Sequence, residues 1–143
     1  MADDLGPADL GIEVDRSDQQ LYRWFLASLV FGRNIRQAQA AKTYHVLIDH
    51  GLTSPGRFEG MDAQRLSAVL DEGGYDRFDD QMADELLRVM AGVKADHGSV
   101  HRLVASSADR AEAERRMTAY KGVGPTTARI FLDQVPEGLY GSA

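Results

Sequence analysis

The chain has 143 residues, of which 43% are hydrophobic and 27% are charged, a composition that suits one compact domain with its own core. It contains no cysteine, which excludes disulfides, thiol nucleophiles and cysteine-ligated metal centres. The longest apolar run, around Phe25–Phe31, is too short to cross a bilayer, and the N-terminus lacks the pattern of a secretory signal. We therefore expect a cytoplasmic protein with no membrane partner.

The charge is distributed unevenly along the chain. The formal net charge of −6 by itself argues against a nucleic-acid partner. Residues 115–132, however, carry four basic residues and no acidic one, whereas residues 1–114 hold 12 basic and 20 acidic residues. Positive charge confined to one segment is compatible equally with a nucleic-acid contact there and with a solvated helix face, and charge alone does not separate the two.

The first predicted element is a flexible arm over residues 1–16. This segment is acidic and contains two glycines and a proline. From Ser17 onward, apolar residues recur at helical spacing and no segment alternates as a strand would. The pattern predicts helices over 17–32, 35–50, 62–73, 77–96, 107–117 and 125–134, with one short turn of helix after Ser54-Pro55. We therefore expect an all-α fold, a compact bundle or barrel of six or seven helices.

The predicted core is formed by the large apolar residues on the inner faces of these helices. These are Leu21, Phe25, Leu29, Leu47, Leu70, Leu86, Met90, Val93 and Phe131. Trp24 is interpreted as a further core residue rather than as a platform for stacking bases.

The segment 117–132 joins two helical stretches through a glycine-rich turn. Gly122 and Gly124 interrupt the helical period and allow a close backbone approach. Pro125 then begins a helix whose first amides lack internal partners and point outward with the positive end of the helix dipole. A phosphate oxygen is a natural occupant of that position, and Lys121 and Arg129 add charge nearby.

This segment resembles the helix-hairpin-helix motif, in the version found in the endonuclease III superfamily of base-excision DNA glycosylases. The resemblance is carried by four short stretches: Gly122-Val123-Gly124 with Thr127-Ala128, the first helix and following loop at Leu26–Arg36, the turn Gly73-Gly74-Tyr75, and His97-Gly98. Helix order and spacing match over residues 18–134. The resemblance implies an endonuclease III-like helical domain over 17–135, with the helix-hairpin-helix at 108–134 and a C-terminal tail at 136–143.

The resemblance implies a DNA-repair function in which the chain grips double-stranded DNA, with damaged duplex as the target. The residues that would contact DNA are Lys121, Gly122, Val123, Gly124, Thr126, Thr127 and Arg129 in the hairpin, and Arg33 and Asn34 where family members insert a wedge into the duplex. For the wedge positions, a solvated loop is the alternative. Asp76 and Arg77 lie in a second loop that approaches DNA in relatives, and capping of a helix by Asp76 is the alternative there.

Relatives also hold a cation through three hairpin carbonyls. These map here to Thr118, Tyr120 and Val123, and such oxygen ligands suit sodium, potassium or calcium. No other cofactor is expected. His97 and His101 have the spacing of metal ligands on a helix, but Gly98 and Ser99 between them favour ordinary surface or half-buried histidines.

The departures from the family concern its catalytic residues. Bifunctional members place a catalytic lysine where this chain has Thr126, whose hydroxyl cannot form a Schiff base. The aspartate that members carry beyond the second hairpin helix has no counterpart in residues 136–143, and Asp133 lies on the hairpin helix itself. The family's second half-domain, which sometimes holds an iron–sulfur cluster, also has no counterpart. We therefore expect no such cluster, and a partner protein or self-association to complete the cleft.

Three function classes stay open at this point. The first is a DNA-binding module of base-excision-repair type that lacks the catalytic pair. The second is an active monofunctional glycosylase with a non-standard carboxylate, such as Asp133 or Asp76. The third is a protein-interaction domain that has kept the fold and lost DNA binding, a class that the net charge of −8 over residues 1–114 leaves open.

Overall fold

The computed structural model describes residues 5–33, 35–75 and 79–143, and within these ranges the chain forms seven α-helices and no β-strand. The helices are α1 (Asp18–Phe31), α2 (Gln37–Asp49), α3 (Ala63–Glu72), α4 (Asp79–His97), α5 (Val100–Ala105), α6 (Arg110–Thr118) and α7 (Pro125–Leu132). Single turns of 3-10 helix lie at Pro7–Leu10, Pro55–Phe58 and Glu137–Leu139. The prediction of an all-α fold with six or seven helices is confirmed.

All seven helices contribute to the core, and α1 and α4 supply the largest sets of buried residues. Helix α1 packs against α2, α5 and α7, and α4 packs against α3 and α5. All nine residues predicted for the core are buried, with at most 2% of their surface exposed. Trp24 is also buried, and its indole N–H donates to the Phe131 carbonyl at 3.2 Å, so the prediction that it is a core residue is confirmed. No helix in the described ranges combines the length and the apolar character needed to span a bilayer.

Short polar side chains begin most of the helices. Ser17 accepts from the Gln20 amide at 3.2 Å, as the sequence predicted, and Asp62 accepts from the Arg65 amide at 2.7 Å. Helix α6 begins later than expected, because Asp109 rather than Ser107 is its cap. The Ser107 hydroxyl is buried and donates instead to the Leu103 carbonyl at 2.7 Å, which lies in α5. Helix α5 itself was not predicted.

The two terminal segments pack on the helical domain. In the segment expected to be a flexible arm, Leu10 and Ile12 are buried, because apolar contact with the core outweighs the acidic, glycine-containing composition. The Leu5 amide donates to Gln37 Oε1 at 2.6 Å. In the C-terminal tail, the Gly141 amide donates to the Ser107 carbonyl at 2.8 Å. Both segments therefore extend the domain beyond residues 17–135.

Candidate nucleic-acid interface

The hairpin between α6 and α7 is a tight turn closed by backbone hydrogen bonds. The Val123 amide donates to the Tyr120 carbonyl at 3.1 Å, and the Ala128 amide donates to the Gly124 carbonyl at 3.1 Å. Gly122 has a φ of +94°, which an L-residue rarely adopts. Gly124 has φ −98° and ψ −179°, extended angles open to any residue. Of the two hairpin glycines, only Gly122 is therefore required by the backbone.

The hairpin is seated on one face of α4 through two close approaches. A Cβ added to Gly122 would lie 2.8 Å from the Glu85 Cδ atom, so the hairpin backbone rests on that side chain. The ring of Tyr120 lies in the same way against Gly92, where an added Cβ would overlap it. Glu85 and Gly92 are seven residues apart, which places them two turns apart on one face of the helix. The hairpin is therefore positioned by α4 as well as by its own two helices.

Tyr120 is fixed to α4 by a hydrogen bond as well as by packing. Its hydroxyl donates to Asp96 Oδ2 at 2.8 Å. Burial and this hydrogen bond raise the pKa of Tyr120 above its ordinary value. The phenol therefore stays protonated and able to donate throughout the physiological pH range.

Glu85 joins the hairpin to the loop that follows α1. Its Oε1 lies 2.7 Å from Arg33 Nη2, and Gln81 Nε2 donates to its Oε2 at 3.3 Å. Only 8% of the Glu85 side chain and 21% of the Arg33 side chain are exposed. Arg33, expected to act as a wedge or to lie in a solvated loop, is thus held against α4 by an ion pair. Asn34, the other predicted wedge residue, lies outside the described residues, as do Asp76 and Arg77.

The outer surface of the hairpin presents backbone donors and positive charge. Within the described ranges, the amides of Gly122, Gly124 and Thr126 have no protein acceptor. A Cβ added to Gly124 would meet no atom within 4 Å, so this glycine faces open space. Lys121 and Thr126, three and two residues from Gly124, are exposed, and Arg129 is exposed in the last turn of α7. The surface therefore combines the N-terminal amides of α7 and the positive end of its dipole with the nearby cationic residue Lys121.

Two other residues of the segment face inward, and a third, the half-buried Arg116, is paired locally. Thr127, expected to contact DNA, is 4% exposed, and its side chain fills the space beside Gly32, where a Cβ would overlap it. Val123 is also 4% exposed and belongs to the core, so only its backbone remains at the hairpin. Arg116 donates to Ser106 Oγ at 2.8 Å and lies 3.5 Å from Glu112. Packing and local pairing thus explain the orientation of these three side chains.

Asp133, considered above as a non-standard catalytic carboxylate, lies at the C-terminal end of α7, whereas the hairpin is at the N-terminal end. Its Oδ1 is 2.6 Å from Arg110 Nη2. Nine residues separate Asp133 from Gly124, about 13 Å at the rise of an α-helix. This ion pair holds the end of α7 against the start of α6.

The predicted cation ligands lie on the α6 side of the hairpin. The carbonyl of Tyr120 already accepts one hydrogen bond, from Val123, and keeps a second lone pair. The cation held by the carbonyls of Thr118, Tyr120 and Val123 stays a prediction. In the described ranges, no three side chains of histidine, aspartate or glutamate are grouped to hold a metal ion. His101 lies 3.6 Å from Asp18 instead.

Sequence reasoning missed Glu85, which is the main contact beneath the hairpin. Its signal was its position in the helical period: Met82, Leu86 and Val89 define the buried face of α4, and Glu85 falls on that face. A charged residue among buried positions requires a partner. That partner, Arg33, is 52 residues away in the sequence, and its identity depends on the tertiary fold.

Comparisons with protein-family models, with curated proteins and with solved structures find no match to this chain.

Proposed function

We propose that this chain binds the backbone of double-stranded DNA through the hairpin between α6 and α7, as a DNA-binding module of base-excision-repair type. The observation that carries the proposal is the outward presentation of the α7 N-terminus. Gly124 faces open space, and the neighbouring amides have no acceptor in the described part of the chain. Such amides bind phosphate oxygens in a preformed geometry.

The charge around the hairpin supports the same function. Lys121, in the turn before the free amides, and Arg129, in the last turn of α7, are exposed and have no ion-pair partner among the described residues. Phosphate contacts of this kind fix the position of a protein on the duplex and carry no sequence information. The binding proposed here is therefore directed to the backbone, and specificity for a damaged site belongs to other residues or to a partner.

The direct test is a binding measurement with a matched pair of glycine variants. Gly124→Val places a side chain where the phosphate would lie, whereas Gly138→Val adds the same atoms at a tail position that is equally open. We expect fluorescence anisotropy with a labelled duplex to show at least about tenfold weaker binding for Gly124→Val, and no change for Gly138→Val. Loss of the cap preference at Gly124 costs about 1 kcal/mol at most, so circular dichroism should show a folded protein.

Two outcomes would contradict the proposal. Equal binding by Gly124→Val and the wild type would show that the hairpin is not the contact. Absence of binding by the wild type at low salt would favour the third class, a protein-interaction domain, because backbone binding is strongest at low ionic strength.

Base excision is a second candidate function, and Glu85 is the observation that favours it. A glycosylase needs a carboxylate near the sugar to stabilise its cationic transition state. Glu85 places a buried carboxylate directly beneath the hairpin, although Arg33 neutralises its charge in this structure. Thr126, exposed at the position of the family's lysine, cannot form a Schiff base.

Two assays separate this second function from simple binding. Borohydride trapping on abasic DNA is expected to give no covalent adduct, and an adduct would show that some amine acts as a nucleophile. Release of a damaged base by the wild type but not by a Glu85→Gln variant that circular dichroism shows to be folded would establish excision through this carboxylate. Equal release by both proteins would exclude Glu85, and no release from a panel of lesions would leave DNA binding as the function.

A further inference from the structure

A second concave surface lies on the opposite side of α4 from the hairpin. It is a cavity of about 240 Å³ formed by the end of α2, the turn Pro55–Phe58 and the start of α3. Lys94 of α4 reaches this side, where its Nζ lies 2.8 Å from Glu59 Oε2. Lys94 is two residues from Gly92 and nine from Glu85, so it points roughly 180–200° away from both. The cavity and the hairpin are therefore separate surfaces.

The charge of this cavity is positive, in contrast to the net charge of the chain. Arg57 and Arg65 line it, and both are exposed with no carboxylate within ion-pair distance in the described ranges. The one acidic residue of the lining, Glu59, is neutralised by Lys94. His50, which also lines the cavity, lies 2.9 Å from Glu72. Among the residues that the structure describes, the two guanidinium groups thus have no counterion, although the net charge of the chain is −6.

The lining also offers a backbone donor. Gly60 has a φ of +78°, and its amide has no acceptor within the described part of the chain. Planar guanidinium groups donate in pairs to the oxygens of a phosphate, and a free amide complements them. The volume is below the usual range for drug-sized ligands, about 300–1,000 Å³. The cavity is therefore suited to a small anionic group.

We infer that this cavity is a second binding site, distinct from the hairpin, for a small phosphate-bearing anion held by Arg57 and Arg65. The site is independent of the proposed DNA contact because α4 separates the two surfaces. A phosphate group of this kind is either free in solution or part of a nucleic acid, and inorganic pyrophosphate and duplex DNA are the two probes that distinguish these sources.

The test is a titration of the full chain with pyrophosphate at constant ionic strength, followed by amide NMR. Two double variants are compared: Arg57→Gln with Arg65→Gln, and the charge-matched control Lys42→Gln with Arg102→Gln, whose residues are exposed elsewhere. We expect saturable shifts at the Gly51 and Gly60 amides. The affinity should fall at least about tenfold in the first variant and stay unchanged in the control.

Each alternative outcome overturns the inference. Shifts that do not saturate, or equal weakening in both double variants, would show unspecific attraction by net charge. In a second titration, with labelled duplex DNA, we expect the two double variants to bind with equal affinity. A greater loss in the arginine variant would make the cavity part of the DNA surface instead of a separate site. Because pyrophosphate binding is read at the cavity, failure of the hairpin proposal would leave this titration unaffected.

Discussion

Glu85 and Arg33 form the ion pair beneath the hairpin, and removal of one partner alone should destabilise the protein. Glu85→Met leaves the half-buried Arg33 without a counterion, and Arg33→Met does the same to Glu85. We expect each single variant to lower the free energy of unfolding by about 2–3 kcal/mol, and the double variant by about 1 kcal/mol or less. Urea denaturation measures all three. Additive losses in the double variant would show that the two charges do not interact.

Gly122 and Gly124 differ in what the structure requires of them, although the sequence treats them as one motif. Gly122→Ala forces an unfavourable φ and places a Cβ 2.8 Å from Glu85 Cδ. We expect it to lower the free energy of unfolding by about 2 kcal/mol or more. Gly124→Ala meets neither obstacle and should cost less than about 1 kcal/mol, the loss at a helix cap. Denaturation curves with similar midpoints for the two variants would contradict this hairpin geometry.

At the residue scale, the roles that could be predicted from the sequence were those determined by residues nearby in the chain. Ser17, Asp62 and Pro125 begin helices as expected, since a cap is determined by residues three positions away or closer. The inward turn of Thr127 was not predictable in the same way. Its neighbour is Gly32, which tertiary packing brings to it from a distant part of the chain.

At the scale of elements, the hairpin should account for the salt dependence of DNA binding. Lys121→Gln and Arg129→Gln each remove one exposed charge from the hairpin segment. Each loss of a phosphate contact should reduce the slope of log K against log salt by about 1. Arg102→Gln, on α5, is the control and should leave the slope unchanged. Measurement is by anisotropy over a range of salt concentrations, and equal slopes for all three variants would place the contact elsewhere.

Elements that depend on long-range contacts were the ones sequence reasoning missed. Helix α5 has only six residues and follows Gly98 and Ser99, a pair that is typical of a loop. In the structure, however, Val100, Leu103 and Val104 of this helix are buried. The acidic arm is held because Leu10 and Ile12 pack on the core. Long amphipathic helices such as α4 carry enough periodic apolar positions to be recognised alone, and short segments do not.

At the scale of the whole molecule, the charge distribution fixes how a polyanion approaches. The chain is acidic overall, with a net charge of −8 over residues 1–114, so the summed charge of these residues opposes the approach of a polyanion. Residues 115–132, which contain the free amides of α7, carry four basic residues and no acidic one. Under the proposed function, we expect this arrangement to orient the duplex toward the hairpin during encounter.

The measurement that tests the central claim most directly is an amide-resolved NMR titration of the protein with a short duplex at low salt. The account predicts that the largest shifts occur at Gly122, Gly124 and Thr126, whose amides have no acceptor among the residues that the structure describes, and that the shifts diminish as salt is added. Shifts concentrated on another surface, or no shifts at low salt, would contradict the claim that the hairpin grips the DNA backbone.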